Sequence, residues 1–190
     1  MPTYARAANT PPLQALYEIT LDIDHDGKLD RAALIAQSQG FYAADKGWFM
    51  LGPDERVDLY IYLGAGDAKL DLARQPTFRK KNLVVGERSN QVFALESRKG
   101  SLIVKSAFNL HSNWAPETLT IVYRHGEFVV AGYAYSFDMK NGDQGSCAIN
   151  FLTGKGVASR GQAKAKPIKA KFRPIKLAAW SNAKRPKGCD

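Results

Sequence analysis

The chain has 190 residues with a formal net charge of +9, 45% hydrophobic and 11% aromatic side chains. That apolar content excludes general disorder, and the length suits one domain with a sizeable core. No apolar run approaches the roughly 18 residues that a membrane-spanning helix needs.

Residues 1–12 read as a disordered or processed N-terminal segment, ahead of one β-rich domain over 13–190. Met1–Pro12 has no continuous apolar core of the kind a signal peptide carries. Ala7-Ala8-Asn9-Thr10-Pro11-Pro12 instead reads like the start of a mature, already processed chain, with Met1 an expression start.

Tyr17–Ile23 alternates apolar and polar side chains, a strand pattern. It runs into Asp22-Ile23-Asp24-His25-Asp26-Gly27-Lys28-Leu29-Asp30, with carboxylates at positions 1, 3, 5 and 9 and a glycine at position 6. Calcium takes six to eight oxygens, and alternate residues of a curled loop can turn theirs toward one centre. Asp22, Asp24, Asp26 and Asp30 would supply side-chain oxygens and Lys28 its backbone carbonyl. The alternative is a solvated acidic turn. An EF-hand is excluded, because position 12 is Ala33 and the entering segment is a strand. The exit, Arg31–Ala36, fits a strand or a short helix. A strand–loop–strand frame around D-x-D-x-D-G-x-x-D resembles the FG-GAP or VCBS-type calcium loop over about 20 residues. That resemblance implies calcium and is nearly silent on activity. A single such loop argues against a complete propeller.

Gln39–Pro53 holds Phe41, Tyr42, Trp48, Phe49 and Met50 without a clear period. It reads as a connection packed on the core, or alternatively as an aromatic ligand patch. Val57–Leu63 is a strand that stops at the Gly64-Ala65-Gly66-Asp67 turn. Gly64-x-Gly66 lacks the third glycine and the helix of a dinucleotide fingerprint. Asn82–Gly86, Gln91–Glu96 and Leu102–Phe108 are further short strands. Leu119–Arg124, His125-Gly126 and Glu127–Tyr133 form the clearest hairpin, with a two-residue turn suited to type I′ geometry. Thr153-Gly154-Lys155-Gly156 is a tight turn, because a Walker loop needs a hydroxyl residue and a helix after the lysine.

The two cysteines, Cys147 and Cys189, fit no zinc or C-x-x-C spacing. A bridge between them would tie the tail to the body, closing a loop of about 43 residues worth about 4 kcal/mol in the chain-entropy account. Two unrelated thiols are the alternative. A bridge implies an oxidising compartment, periplasmic or secreted, where millimolar calcium is also available.

The run Thr118–Tyr123, Gly126-x-Phe128–Tyr133, then Cys147-x-x-Asn150-x-x-Thr153-Gly154-Lys155-Gly156 is similar to a group of uncharacterised exported proteobacterial proteins. Trp180-Ser181 and Pro186…Cys189 match that group's closing pattern, and the likeness spans most of residues 17–190. It supports the bridge and implies no activity.

Lys164, Lys166, Lys169, Lys171, Arg173 and Lys176 form a basic surface, with no acid between Asp143 and Asp190. Such a stripe suits an acidic protein or an anionic envelope component. Specific nucleic-acid binding is the weaker reading, since no recognised fold for it is visible. Pro167–Phe172 also alternates like an edge strand with outward lysines. The histidines His25, His111 and His125 have no hydrolase motif around them, and only His111 sits in a polar-aromatic loop.

These readings converge on a mainly β fold. It is an antiparallel sandwich or curled meander of about ten to twelve strands, with at most one or two short helices. One helix is expected after the acidic loop or near Leu177–Ser181. The expected function is a non-catalytic, calcium-stabilised envelope binding protein. An inhibitor or immunity protein and a hydrolase using His111 are the alternatives.

Overall fold

The computed structural model describes residues 13–37, 41–43, 47–66, 69–86, 91–110, 113–138, 143–181 and 185–189. Two antiparallel sheets account for almost all of its regular structure. The smaller has four strands in the order β1 (Gln14–Leu21), β2 (Asp30–Ala36), β5 (Arg56–Tyr62), β6 (Phe78–Val85). Between β2 and β5 the chain leaves for the other sheet as β3 (Phe41–Ala43) and β4 (Trp48–Met50).

The larger sheet is a meander of β7 (Gln91–Arg98), β8 (Ser101–Leu110), β9 (Asn113–Arg124), β10 (Glu127–Asp138), β11 (Gln144–Asn150) and β12 (Lys155–Arg160). β4 and β3 extend it beyond β7, and β13 (Lys166–Pro167) extends it beyond β12. β14 (Ile175–Lys176) adds to β10 at Val129 and Val130, on the length that β11 leaves free. The β9–β10 turn has His125 and Gly126 at φ 53° and 80°, the two left-handed residues of the expected type I′ turn.

One apolar cluster draws on both sheets and fills the space between them. Leu34, Leu59 and Ile61 contribute from the small sheet, and Val92, Leu102, Ile121 and Val130 from the large one; all seven are fully buried. Side chains alternate across a pleated strand, so the other face of β2 and β5 presents Ala33, Ile35, Tyr60 and Tyr62. Leu70 and Leu72 of the β5–β6 connection pack over that face as a second cluster. β5 is therefore buried on both sides, including Asp58. The Asp58 carboxylate accepts bonds from Arg79 Nη2 (2.6 Å), Arg79 Nε, Gln37 Nε2 and the Asn82 N–H (each 2.8 Å).

The C-terminal segment closes the sandwich rather than trailing from it. A 3₁₀ turn, Leu177–Ala179, buries Leu177 completely, and Trp180 packs on Tyr133 and Phe151 at ring distances of 5.8 and 6.2 Å. Lys80 Nζ of β6 donates to the Ala178 carbonyl at 3.1 Å, so this turn touches both sheets. Cys147 of β11 and Cys189 form a disulfide, their Cα atoms 5.4 Å apart.

The mainly β, antiparallel expectation holds, and the helix near residue 177 is a single 3₁₀ turn. Residues 39–53 are not only a connection, since they contribute β3 and β4. The strand expected over Pro167–Phe172 is reduced to Lys166–Pro167. Proline has no N–H to continue a ladder, and the chain turns away after it. Residues 1–12 and His111 lie outside the described residues.

Candidate metal loop and basic groove

The acidic loop is set by its two anchoring strands. Leu21, the last residue of β1, pairs with Asp30, the first of β2. The eight residues between them double back through His25 and Gly27 at φ 61° and 82°. Glycine adopts that backbone without a Cβ penalty. Ile23, with no exposed surface, pins the loop's entrance into the core.

The carboxylates then divide by environment. Asp30 is fully buried, and its two oxygens accept the N–H groups of Ile23 and Gly64, each at 2.8 Å. Asp24 Oδ1 accepts from the Asp26 N–H and Asp22 Oδ2 from the Gly27 N–H, both at 3.2 Å. Asp26 is exposed and faces Lys28, whose N–H donates at 2.8 Å and whose ammonium lies 3.4 Å away. The Lys28 N–H bond is the main reason that the Asp26 carboxyl titrates below the ordinary aspartate range.

Asp22, Asp24 and Asp30 each place one carboxylate oxygen within 4.8 Å of the other two. Oxygens bound to one calcium ion at about 2.3–2.6 Å stand at most about 5 Å apart. The triad therefore has the right span. Asp22 Oδ1 is buried and has no hydrogen-bond partner. A buried carboxylate oxygen without a donor is costly, and a cation is one way to satisfy it. Of the five residues expected from the sequence, the structure brings together these three, while Asp26 is turned to Lys28. That Gly64 would hold Asp30 is invisible in the local pattern, because the contact crosses 34 residues.

The six basic residues expected from the sequence differ in their surroundings. All six are exposed, but Lys176 is paired with Glu127 at 2.6 Å. Lys164 and Lys166 instead join Arg160 and Arg185 around a groove of about 680 Å³ at the β10–β12 end of the large sheet. Tyr135 and Phe137 lie two apart on β10, share one face, and stack with planes 9° apart. The Arg185 guanidinium sits 4.4 Å above the Tyr135 ring. Gly188 and Cys189 form part of the wall, so the disulfide holds one side of the groove in place.

The histidines offer no shared site among the described residues. His25 lies against Gly100 in the β7–β8 turn, and His125 is exposed at the β9–β10 turn.

The fold and loop define a two-sheet antiparallel β protein with an acidic strand–loop–strand element and one disulfide. A comparison with known proteins finds no matching family model, curated protein or solved structure.

Proposed function

We propose that this chain is a non-catalytic, calcium-stabilised binding protein of an oxidising compartment, periplasmic or secreted. Its basic surface would engage an acidic protein or an anionic envelope component. The observations that carry the calcium reading are the convergence of Asp22, Asp24 and Asp30 and the buried Asp22 Oδ1 that lacks a donor. These three would hold the ion, with Asp26 and the Lys28 carbonyl the remaining members of the spacing. Bound calcium would neutralise the clustered carboxylates and fix the junction of β1 with β2. The disulfide supports the compartment, because such bridges persist where the environment is oxidising. The unbalanced cations of the C-terminal third support an anionic partner.

Thermal unfolding in excess chelator and then in millimolar calcium tests the metal reading. Calcium at about 100-fold over its dissociation constant adds roughly 2.7 kcal/mol. For a domain of this size that is about 5–10 °C in midpoint. The expected rise is specific to calcium over magnesium and is lost in Asp24→Ala. An unchanged midpoint, or an equal rise with magnesium, overturns the calcium assignment.

A further inference from the structure

We infer that the groove between β10–β12 and the C-terminal segment is a binding site for an acidic saccharide, a sugar chain bearing carboxylate or phosphate groups. The inference rests on the anionic-partner part of the proposed function and gives it a place and a chemistry.

Three properties of the groove point to that class. First, its charge is one-sided. Among the described residues, Arg160, Lys164, Lys166 and Arg185 line it against one carboxylate, Asp143. Arg160, Lys164 and Lys166 have no ion-pair partner among the described residues, so their charge is available to a ligand. Second, part of its floor is aromatic. The half-buried Phe137 ring lies in the room that Gly145 opposite leaves and stacks nearly parallel to Tyr135, which is itself buried beneath Arg185. A pyranose ring presents a C–H face to such a surface while its acid group reaches the cations. An inorganic anion would use the cations and leave the aromatic floor without a partner. Third, its volume of about 680 Å³ falls within the roughly 300–1,000 Å³ of small-ligand sites. That is space for a few sugar units.

The walls are also held independently of any ligand. Cys189 is bonded to Cys147 on the neighbouring strand, and its N–H donates to the Pro186 carbonyl at 2.9 Å. Gly188 packs so closely on Ile168 that a Cβ would collide with it. Such preorganisation lowers the ordering cost of binding.

The test is titration calorimetry on the full, disulfide-intact chain with four probes: a galacturonic acid trimer, its neutral methyl ester, inorganic phosphate and a short polyglutamate. The acid trimer should bind saturably and weaken as salt rises. The methyl ester should bind at least tenfold more weakly, and phosphate should not saturate. Lys164→Glu with Lys166→Glu should lower trimer affinity more than tenfold, and Phe137→Ala should lower it several-fold at unchanged salt dependence. Both sets lie at exposed or half-buried positions, and an unchanged unfolding midpoint certifies each fold. Polyglutamate binding without trimer binding overturns the saccharide assignment and leaves the anionic-partner reading standing. No binding by any anionic probe overturns both. Trimer binding that survives the double charge reversal overturns the groove as its site.

Discussion

The Gly64 N–H donates to the buried carboxylate of Asp30 across 2.8 Å, joining the start of β2 to the turn that follows β5. The other oxygen of the same carboxylate takes the Ile23 N–H. Asp30 thus has a structural task that needs no metal, whereas Asp24 holds only a local turn bond. Asp30→Ala leaves two N–H groups without their acceptor and should cost about 2–4 kcal/mol even in chelator. Asp24→Ala should cost under about 0.5 kcal/mol in chelator. Denaturant titration of both variants without calcium checks this; equal losses would mean that the carboxylates do not divide as described.

Asp58 is the other buried acid, 1% exposed and held by Arg79, Gln37 and Asn82. Asn82 has φ 52°, and the β5–β6 register shifts between Val57 and Leu59, beside Asp58. The carboxylate therefore fastens an irregular stretch of β6 as well as a charge pair. Asp58→Ala should destabilise by about 3 kcal/mol, because a buried pair is broken from one side. Arg79→Lys should cost less, since one charged donor remains and Arg79 is partly solvated. A larger loss from Arg79→Lys would contradict this order.

Tyr60 and Tyr62 titrate above the ordinary tyrosine range, chiefly because burial disfavours the phenolate. The unfolded chain ionises its tyrosines first, near pH 10, so stability is fully present below that pH and falls as pH rises toward the folded-state values. The Tyr62 hydroxyl is buried without a partner. Tyr62→Phe should therefore be neutral or more stable by up to about 1 kcal/mol at pH 7, and lose less stability in alkali. Urea unfolding across pH 8 to 11 measures both effects; a destabilised Phe variant would show that the hydroxyl is satisfied.

Removing the disulfide, as Cys147→Ala with Cys189→Ala, should cost about 4 kcal/mol on the chain-entropy account. That corresponds to roughly 8–16 °C in midpoint for a domain of this length. Leu177 and Trp180 stay anchored in the core, so the far-ultraviolet spectrum should be unchanged. Calorimetry with and without reductant provides the check.

Hairpins and the acidic loop were legible because their signals are local. His125-Gly126 between two alternating runs states its own turn, and the D-x-D-x-D-G-x-x-D spacing needs no partner to be seen. The short strands β3 and β4 were not legible, because three residues give no period and their pairing is decided by β7. Val57–Leu63 read correctly as a strand, but its alternation did not reveal that Leu70 and Leu72 cover the polar side. The groove was least accessible. Its cations come from β12, the following loop, β13 and residue 185, and its rings from β10. Only the β10–β12 register and the disulfide bring these together. The basic run lies in the same segment as the groove without coinciding with its lining: Lys176 is paired with Glu127, while Arg160 and Arg185, on either side of the run, line the groove with Lys164 and Lys166.

One edge of β10 is shared between two neighbours that are distant along the chain. β11 covers Gly132–Asp138 and β14 covers Val129 and Val130. During synthesis β11 emerges about 25 residues before β14. For that interval the nascent sheet carries an open hydrogen-bonding template beside two valines, the kind of edge that recruits a strand from another molecule. Lys176 completes the last pairing and carries its charge to Glu127 as it does so. The last two-residue strand closes that edge, a role out of proportion to its length.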